Sequence, residues 1–327
     1  MKNHGLSSMN KCTERRALFC LQLDSQLKPM IGRRASGIYN AALHPAFRVA
    51  NMLIDSHHHL WKYSAEQYGW INDQMSVLRH DFLGPQLQQV AASSGVDGFV
   101  SVQARQVVEE TDALLAIADA EPLLKGVVGW VPLADANVAT VLDRYADSKK
   151  LKGVRHVVQD EPDDRFILGE DFNRGVSLLK DRGLVYDVLI FAKQLPASIQ
   201  FVDQHADLPM VLDHIAKPTI QPAEFDAFWE RNFREIAKRP NLTCKFSGVV
   251  TEVRDDNWSI DTIRRYWDVA LEAFTPKRLM FGSDWPVCLL MTEHRRWVDT
   301  VRQLASQLSA DEQADFFANT ATRAYGL

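Results

Sequence analysis

Residues 52–61 read MLIDSHHHLW, a short apolar run followed by an aspartate, a serine and three consecutive histidines. A run of this length is typical of a buried β-strand rather than of a helix. Side chains alternate between the two faces of a strand, so His57 and His59 should point one way and His58 the other. We therefore expect a pair of imidazoles where this strand ends.

The rest of the chain alternates similar apolar runs with amphipathic stretches. The predicted strands are 53–59, 97–103, 125–132, 151–158, 184–191, 210–215, 242–247 and 278–283. The predicted helices are 83–94, 109–120, 135–148, 170–182, 193–205, 222–238, 261–274 and 311–318. The strands are almost continuously apolar, as parallel strands buried on both faces are. This order predicts an α/β protein with a (β/α)8 TIM barrel in a single domain, and a doubly wound open sheet is the alternative.

Residues 1–51 differ in charge from the rest of the chain. They hold eight Lys or Arg and two acidic residues, a net charge of +6, whereas the whole chain carries −5. The segment has no apolar periodicity and lacks the continuous apolar core of a secretory signal. We expect a basic N-terminal extension that is disordered or a gene-model artefact, with a transit-like peptide as the alternative. The folded domain is then 52–327.

Composition argues against several classes of partner. The net charge of −5 and a pI of about 6.1 do not favour nucleic-acid binding. No apolar run approaches the ~20 residues that span a bilayer. The four cysteines form no Cys-x-x-Cys pair, which is typical of reduced thiols in a cytoplasmic protein. We expect a small-molecule substrate, and a homo-oligomer remains open.

Catalytic residues of a (β/α)8 barrel lie at the carboxyl ends of its strands. The eighth strand ends in MFGSDWP, residues 280–286, where Asp284 could act as a general base or ligate a metal. A helix N-cap is the structural alternative for this aspartate. The sixth strand ends in VLDHIAKP, where Asp213 and His214 are neighbours. Alternation allows one of them to face inward, and we predict that it is His214.

Other polar residues at the strand ends are candidates for binding substrate or for structural pairing. They are Gln103, Arg105, Arg155, His156, Lys245 and Ser247. Arg155 and His156 alternate, so one faces inward. Gln103, Arg105 and Arg155 are the predicted substrate-binding residues.

Aromatic residues follow several strands, including Trp61, Tyr68, Trp70, Trp130 and Trp285. Aromatic faces with a polar rim can stack on a sugar ring or a flat lactone. We predict this role for Trp61, Trp70 and Trp285. The alternative is that they only wall off the mouth of the barrel.

The motifs IDSHHHLW, GVRHVV, VLDHIAKP, KFSG and FGSDWPV occur in this order. Together they resemble the amidohydrolase superfamily, in its amidohydrolase 2 group. The nearest branch holds sugar lactonases, which hydrolyse L-fuconolactone or L-rhamnonolactone, and the 2-pyrone-4,6-dicarboxylate lactonase. The resemblance spans residue 53 to the C-terminus. It implies a barrel hydrolase with catalytic residues His57, His59, His214 and Asp284.

The resemblance also bears on metal binding. Two-metal members carry a bridging lysine or glutamate on the fourth strand and a histidine on the fifth. The fifth predicted strand here, LVYDVLIF, has no histidine. The resemblance therefore implies one divalent ion, Zn²⁺, held by His57, His59 and Asp284, or no metal.

The predicted reaction is hydrolysis of a lactone by water that Asp284 activates. Zinc, or the three histidines with Arg155, would stabilise the oxyanion. A decarboxylase of an aromatic or unsaturated acid and a dicarboxylate lactonase are the alternatives. A dicarboxylate needs several arginines, and Arg105 and Arg155 are the only evident ones, so a neutral sugar lactone is favoured. A non-catalytic binding or scaffold protein is the remaining class.

Overall fold

The computed structural model describes residues 52–253, 255 and 258–327. Within this part of the chain, eight parallel strands pair in chain order. The strands are β1 Ile54–His58, β2 Gly98–Val102, β3 Leu124–Gly129, β4 Leu151–His156, β5 Val185–Val188, β6 Met210–Leu212, β7 Leu242–Phe246 and β8 Leu279–Phe281. The predicted N-terminal extension, 1–51, lies outside the described residues.

Helices follow the strands, and all but those of the C-terminal segment cover the outside of the sheet. They are α1 Gly84–Ser94, α2 Val108–Ala120, α3 Val138–Asp143, α4 Glu170–Ser177, α5 Leu195–Gln204, α6 Ala227–Ile236, α7 Ile260–Phe274, α8 His294–Ala305, α9 Ala310–Ala314 and α10 Thr320–Tyr325. The alternation of strand and helix confirms the predicted α/β class, which the barrel and the doubly wound sheet share.

The barrel is joined between β1 and β8 by backbone hydrogen bonds. The backbone N–H of Asp284 donates to the carbonyl of His57 over 2.8 Å. The N–H of His59 donates to the carbonyl of Trp285 over 2.7 Å. A doubly wound open sheet has two free edges, so these bonds exclude that alternative. The residues that close the barrel belong to the two motifs from which a site was predicted.

The apolar side chains form an outer and an inner layer. The outer layer lies between the strands and the helices and holds most of the large side chains, among them Trp229, Trp267 and Trp297. The inner layer is small and consists of Ile54, Val100, Val102, Val128, Val185, Val211 and Met280 with Ala318, Ala321 and Tyr325. The last three belong to the C-terminal helical segment. That segment therefore packs against the inside of the barrel.

All eight strands end one to three residues before the predicted residue, and two of them are followed by left-handed backbone. β6 ends at Leu212 instead of residue 215, and β8 at Phe281 instead of residue 283. The four residues 214–217 have φ values between +47° and +60°, and Asp284 has φ +59°. A left-handed backbone cannot continue a strand. The predicted ends were wrong because the apolar pattern runs on into these turns.

Among the described residues, no helix is both long and apolar enough to cross a membrane. The two cysteines in this part of the chain, Cys244 and Cys288, are buried and free. They agree with the prediction of reduced thiols. Cys12 and Cys20 lie outside the described residues.

The fold predicts that Tyr325, near the C-terminus, stabilises the barrel from the inside. The hydroxyl of Tyr325 donates to both carboxylate oxygens of Asp187, at 3.0 and 2.8 Å, inside the barrel. Tyr325→Phe should lower the free energy of unfolding by about 1–3 kcal/mol, because a buried carboxylate loses a donor. Urea denaturation measures the change. Tyr63→Phe is the control, since the hydroxyl of Tyr63 has no hydrogen bond within the described residues; equal stability of the two variants would refute the assignment.

Candidate active site

The carboxyl ends of the strands surround a cavity of about 600 Å³. That volume suits a small organic ligand. The predicted site residues that line it are His59, Trp70, Arg105, Arg155, His214 and Asp284. Polar loop residues that the sequence analysis did not select complete the lining: Glu66, Gln67, Gln106, Gln159, Asp160 and Lys217. These residues could not be predicted from the strand ends, because the direction of a side chain in a loop cannot be inferred from the sequence.

Asp284 lies at the centre of the site. Its Oδ1 is 3.2 Å from His59 Nε2 and 3.7 Å from His57 Nε2. Burial alone would raise the pKa of this carboxyl, but the neighbouring His214, His59 and Lys217 outweigh burial and lower the pKa. Asp284 is therefore ionised at neutral pH. Its Oδ2 has no hydrogen bond within the described residues, so this oxygen is available to a molecule in the cavity.

His214 faces Asp284 from the turn that follows β6. Its ring centroid is 4.4 Å from that of His57, and its Nδ1 is 2.9 Å from the hydroxyl of Ser247. This contact engages Nδ1 and leaves Nε2 for a ligand. Burial lowers the pKa of His214 to about 4, so the imidazole is neutral at pH 7.

Gly248 makes room for this imidazole. The backbone there has φ +61°, and a Cβ atom would lie 2.5 Å from His214 Nδ1. A side chain at this position would clash with the histidine and would strain the backbone. The KFSG motif thus positions His214 through Ser247 and Gly248.

Asp213 and His214 both reach the site, so the prediction that one of them faces outward was wrong. Asp213 Oδ2 is 3.0 Å from Arg155 Nη1, and its Oδ1 is 3.0 Å from Lys245 Nζ and 3.4 Å from His57 Nδ1. Alternation applies only while the backbone is extended. The left-handed turn begins at His214 and rotates that side chain toward the same space.

Lys245 connects Asp213 to a second buried carboxylate. Its Nζ lies 2.6 Å from Asp187 Oδ2, and both side chains are fully buried. Burial raises the pKa of Asp187 to about 6, although Lys245 opposes the shift. The pKa of Asp213 is held well below its usual value because Lys245, His57 and Arg155 outweigh its burial. Asp187 could have been identified from the sequence, because it is the only charged residue within the apolar run LVYDVLIF. No feature of the sequence indicates the contact of Tyr325 with Asp187.

His57, His214 and Asp284 form a group that could hold a metal ion. One ligand atom from each lies within 4.8 Å of the others, and all three residues are buried. Burial lowers the pKa of His57 well below its usual value, so the set comprises two neutral imidazoles and a carboxylate. Such a set suits Zn²⁺. His57 Nδ1 lies 3.4 Å from Asp213 Oδ1 and 3.2 Å from Lys245 Nζ, so this nitrogen faces the buried charges while Nε2 lies 3.7 Å from Asp284 Oδ1.

His59 lines the cavity beside Asp284, as predicted, but lies outside the group of three that could hold a metal ion. The predicted metal ligands were His57, His59 and Asp284, whereas the structure groups His214 with His57 and Asp284. His59 Nδ1 donates to the carbonyl of Val102 over 2.7 Å, and its Nε2 contacts Asp284.

The other β1 histidine, His58, lies away from the site. Its Nε2 is 2.9 Å from the hydroxyl of Ser101, and its ring packs against Phe99. The register of β1 against β2 shifts between Asp55 and His58. This irregularity allows Ile54 to face the inner core and His57, three residues later, to face the interior as well.

The chain matches the amidohydrolase family. A sequence model of the family described as Amidohydrolase matches residues 54–327. The chain belongs to the amidohydrolase family. The resemblance found in the five sequence motifs is thereby confirmed.

Two curated relatives are similar to this amidohydrolase over most of its length. An L-fucono-1,5-lactonase of Burkholderia multivorans is 40% identical over 289 residues, which cover 84% of this chain and 96% of the relative. An L-fucono-1,5-lactonase of Burkholderia ambifaria is 31% identical, over 84% of this chain and 95% of its own. A solved amidohydrolase structure from Burkholderia multivorans with bound zinc is 41% identical, with a TM-score of 0.80 over 84% of this chain and 99% of that one.

In this amidohydrolase, the predicted aromatic residues differ in their access to the cavity. Trp70 lines it and is 39% exposed. Trp61 and Trp285 are each only 2% exposed and lie behind the wall. Trp61 packs edge-on against Trp70, and Trp285 packs against Phe82. Trp70 alone of the three presents its surface to a ligand.

The polar residues predicted to bind substrate also differ in their access to the cavity. Arg105 and Arg155 line the cavity, whereas Gln103 is fully buried behind it. Arg155 donates through Nη2 to the backbone carbonyl of Gln103, and Gln103 Nε2 donates to the carbonyl of Arg155 over 3.4 Å. Gln103 therefore orients the arginine. His156 faces the other way and contacts Glu161.

The close packing of His214 against Gly248 predicts that a methyl side chain at this position lowers the catalytic activity. Gly248→Ala should reduce activity by at least about 10²-fold, because His214 is displaced. Gly183→Ala is the matched control: its φ is +65°, but no atom lies within 4 Å of the added Cβ. Both variants carry backbone strain of about 1–2 kcal/mol, and Gly248→Ala adds the clash with His214, so thermal melting should show a loss in both and a larger one in Gly248→Ala. Equal activity of the two variants would contradict the role given to Gly248.

The pKa values predict the acid limb of the pH–rate profile. The site works with Asp284 ionised and His214 neutral, and both groups have lowered pKa values. Between pH 7 and 5, kcat/KM should stay constant, and it should fall as the pH approaches the His214 value of about 4. Circular dichroism over the same range controls for acid unfolding. A limb at the ordinary histidine value near 6.5 would contradict this electrostatic description.

Proposed function

We propose that this amidohydrolase hydrolyses a neutral sugar lactone, with L-fucono-1,5-lactone as the first candidate. The observation that carries the proposal is the ionised, buried carboxylate of Asp284, with one oxygen open to the cavity beside two neutral imidazoles. This arrangement can accept a proton from water next to a polarised carbonyl. The similarity to L-fucono-1,5-lactonases supports the choice of substrate.

The charge balance of the cavity favours a neutral substrate. Each cation in the lining has a carboxylate partner behind it: Arg105 with Glu110 at 2.9 Å, Arg155 with Asp213 at 3.0 Å and Lys217 with Glu252 at 3.8 Å. Glu66 and Asp160 add negative charge to the lining. A dicarboxylate would enter without a compensating excess of positive charge, so the cost of removing water from its carboxylates would not be offset. Hydroxyl groups can bond to either sign of charge.

Trp70 and the polar loop residues suit a ring with hydroxyl groups. The exposed indole offers an apolar face on which the C–H face of a sugar ring can lie. Gln67, Gln106 and Gln159 offer amide donors and acceptors around it. Binding by stacking with peripheral hydrogen bonds is the interaction we propose for the sugar.

In the proposed mechanism, Asp284 Oδ2 takes a proton from water while the water oxygen attacks the lactone carbonyl. The ring C–O bond then breaks, and the leaving alkoxide receives the proton from Asp284. The new carboxylic acid ionises and releases its remaining proton to solvent. His59 holds Asp284 through Oδ1, so that Oδ2 faces the substrate.

We infer that a zinc ion can be held by His57, His214 and Asp284. The donor set fits, and the similar structure from Burkholderia multivorans holds zinc. When bound, the ion would polarise the lactone carbonyl. The guanidinium of Arg155 lies next to the same space, with Nη1 3.2 Å from His57 Nε2. The metal-independent alternative relies on this guanidinium and on the histidines, and activity that survives chelation would favour it.

The deciding experiment is proton release, followed with a pH indicator, from a panel of substrates. The panel holds sugar 1,4- and 1,5-lactones, 2-pyrone-4,6-dicarboxylate and an aromatic carboxylic acid, each with zinc and after chelation. We expect rapid acid production from a neutral sugar lactone, and turnover of the dicarboxylate slower by at least about 10²-fold, because its charges are unpaired. A flat trace for every sugar lactone would refute the proposal. Carbon dioxide from the aromatic acid would point to a decarboxylase.

Asp284→Asn tests the proposed base. The amide cannot accept the proton, so turnover should fall by at least about 10²-fold while thermal melting stays close to that of the wild type. Asp299→Asn on the outer helix α8 is the control and should keep full activity. Near-wild-type rates in Asp284→Asn would remove Asp284 from the mechanism. A cytoplasmic location remains a prediction from the sequence, which leaves the oligomeric state open.

A further inference from the structure

Lys217 is a cation of the cavity that the mechanism above does not use. It ends the left-handed turn that carries His214, and its own φ is +47°. Its side chain lines the same cavity as His214 and Asp284. A positive charge in this place is available to the reacting part of a ligand.

The ammonium of Lys217 has donors to spare. Its Nζ lies 3.8 Å from Glu252 Oε1, which is an ion pair but too long for a hydrogen bond. Within the described residues Nζ has no hydrogen-bond acceptor, and the side chain is only 17% exposed. An ammonium carries three donors. By contrast, Arg155 is engaged by Asp213 and by the carbonyl of Gln103.

The turn holds Lys217 in a fixed position. Its backbone N–H donates to the carbonyl of His214 over 2.9 Å, and Trp229 Nε1 donates to the carbonyl of Ile215 over 2.6 Å. The ring of Phe191 lies below the ammonium, with its centroid 5.6 Å from Nζ. A charge held by such contacts needs little reorganisation during a reaction.

Lys217 lines the same cavity as the proposed base. Its ammonium and the carboxylate of Asp284 therefore face the same bound ligand. A carbonyl that is attacked by water bound to Asp284 must lie next to the same carboxylate. The oxygen of that carbonyl becomes negative in the transition state and stays negative in the product carboxylate.

We propose that Lys217 is a further catalytic residue, whose Nζ donates a hydrogen bond to the lactone carbonyl oxygen and then to the product carboxylate. The proposal rests on the lactonase function proposed above. No proton leaves Lys217, since the proton for the leaving alkoxide comes from Asp284. The role is electrostatic stabilisation of the oxyanion.

Steady-state kinetics of Lys217→Met with L-fucono-1,5-lactone test the role. The variant should lose about 10²-fold or more in kcat/KM, mostly in kcat, as expected for a lost oxyanion donor. Lys217→Arg keeps a charged donor and should recover at least about tenfold of that loss. The control is Lys193→Met, because Lys193 is exposed, pairs with Asp164 at 2.7 Å and does not line the cavity. If Lys217→Met does not fold, Lys217→Gln replaces it.

Inhibition by two ligands separates a carbonyl contact from a hydroxyl contact. L-Fuconate carries the product carboxylate, whereas 1,5-anhydro-L-fucitol keeps the ring hydroxyls and has no carbonyl. Lys217→Met should weaken inhibition by L-fuconate by about tenfold and leave inhibition by the anhydro sugar unchanged. Equal weakening of both would overturn the proposal in favour of hydroxyl binding.

The outcomes also separate this proposal from the proposed function. A wild-type enzyme without activity on any sugar lactone refutes the function and the role of Lys217 together. A wild-type enzyme that is active, with Lys217→Met within twofold of it, refutes the role of Lys217 alone. Equal losses in Lys217→Met and Lys217→Arg indicate a steric role and also overturn the proposal.

Discussion

The ionised carboxylate of Asp213 is the interaction on which the site depends. It contacts Arg155 from β4, Lys245 from β7 and His57 from β1, and all of these groups are buried. A buried charge without partners is very costly, so removal of Arg155 or Lys245 leaves a negative charge uncompensated. These contacts join strands from all around the barrel. The same ion pairs that offset the cost of burying Asp213 therefore also hold Arg155 and His57 in position. Tyr325 extends this network through Asp187 to the C-terminal helix.

The turn after β6 concentrates functional groups by leaving the extended conformation. Residues 214–217 all have left-handed φ values, which cost free energy in residues other than glycine. Such conformations are retained where surrounding contacts determine them, and they cluster at functional sites. Here the hydroxyl of Ser247 and the indole of Trp229 form hydrogen bonds to the turn. Gly248, which has no side chain, leaves the space that the imidazole of His214 occupies. As a result, His214 and Lys217, the first and last of the four residues of this turn, both face the cavity.

Barrel closure and catalysis share the same residues. Asp284 donates its backbone N–H to His57 across the join between β1 and β8, while its side chain lies between the histidines. Asp55 supports this join because its Oδ1 accepts from the backbone N–H of Ser283 over 2.8 Å and its Oδ2 lies 3.3 Å from His294. Substitutions of Asp284 must therefore preserve the backbone to be informative. The Asn variant does so because asparagine has nearly the shape of aspartate and differs in lacking the charge and in carrying an amide nitrogen in place of one oxygen.

The sequence by itself determined the barrel and the main site residues. Near-continuous apolar runs separated by amphipathic segments specify parallel strands, and the carboxyl ends of such strands meet at one mouth. His59, His214 and Asp284 are found together for that reason. The tertiary structure alone decided that Asp213 joins His214, that Trp61 and Trp285 are buried while Trp70 is open, and that Tyr325 reaches Asp187 from 138 residues away. The physical reason is that periodicity reports side-chain direction only while a strand lasts. Beyond its end, direction depends on individual φ values and on contacts between residues far apart in the chain, which no local pattern records.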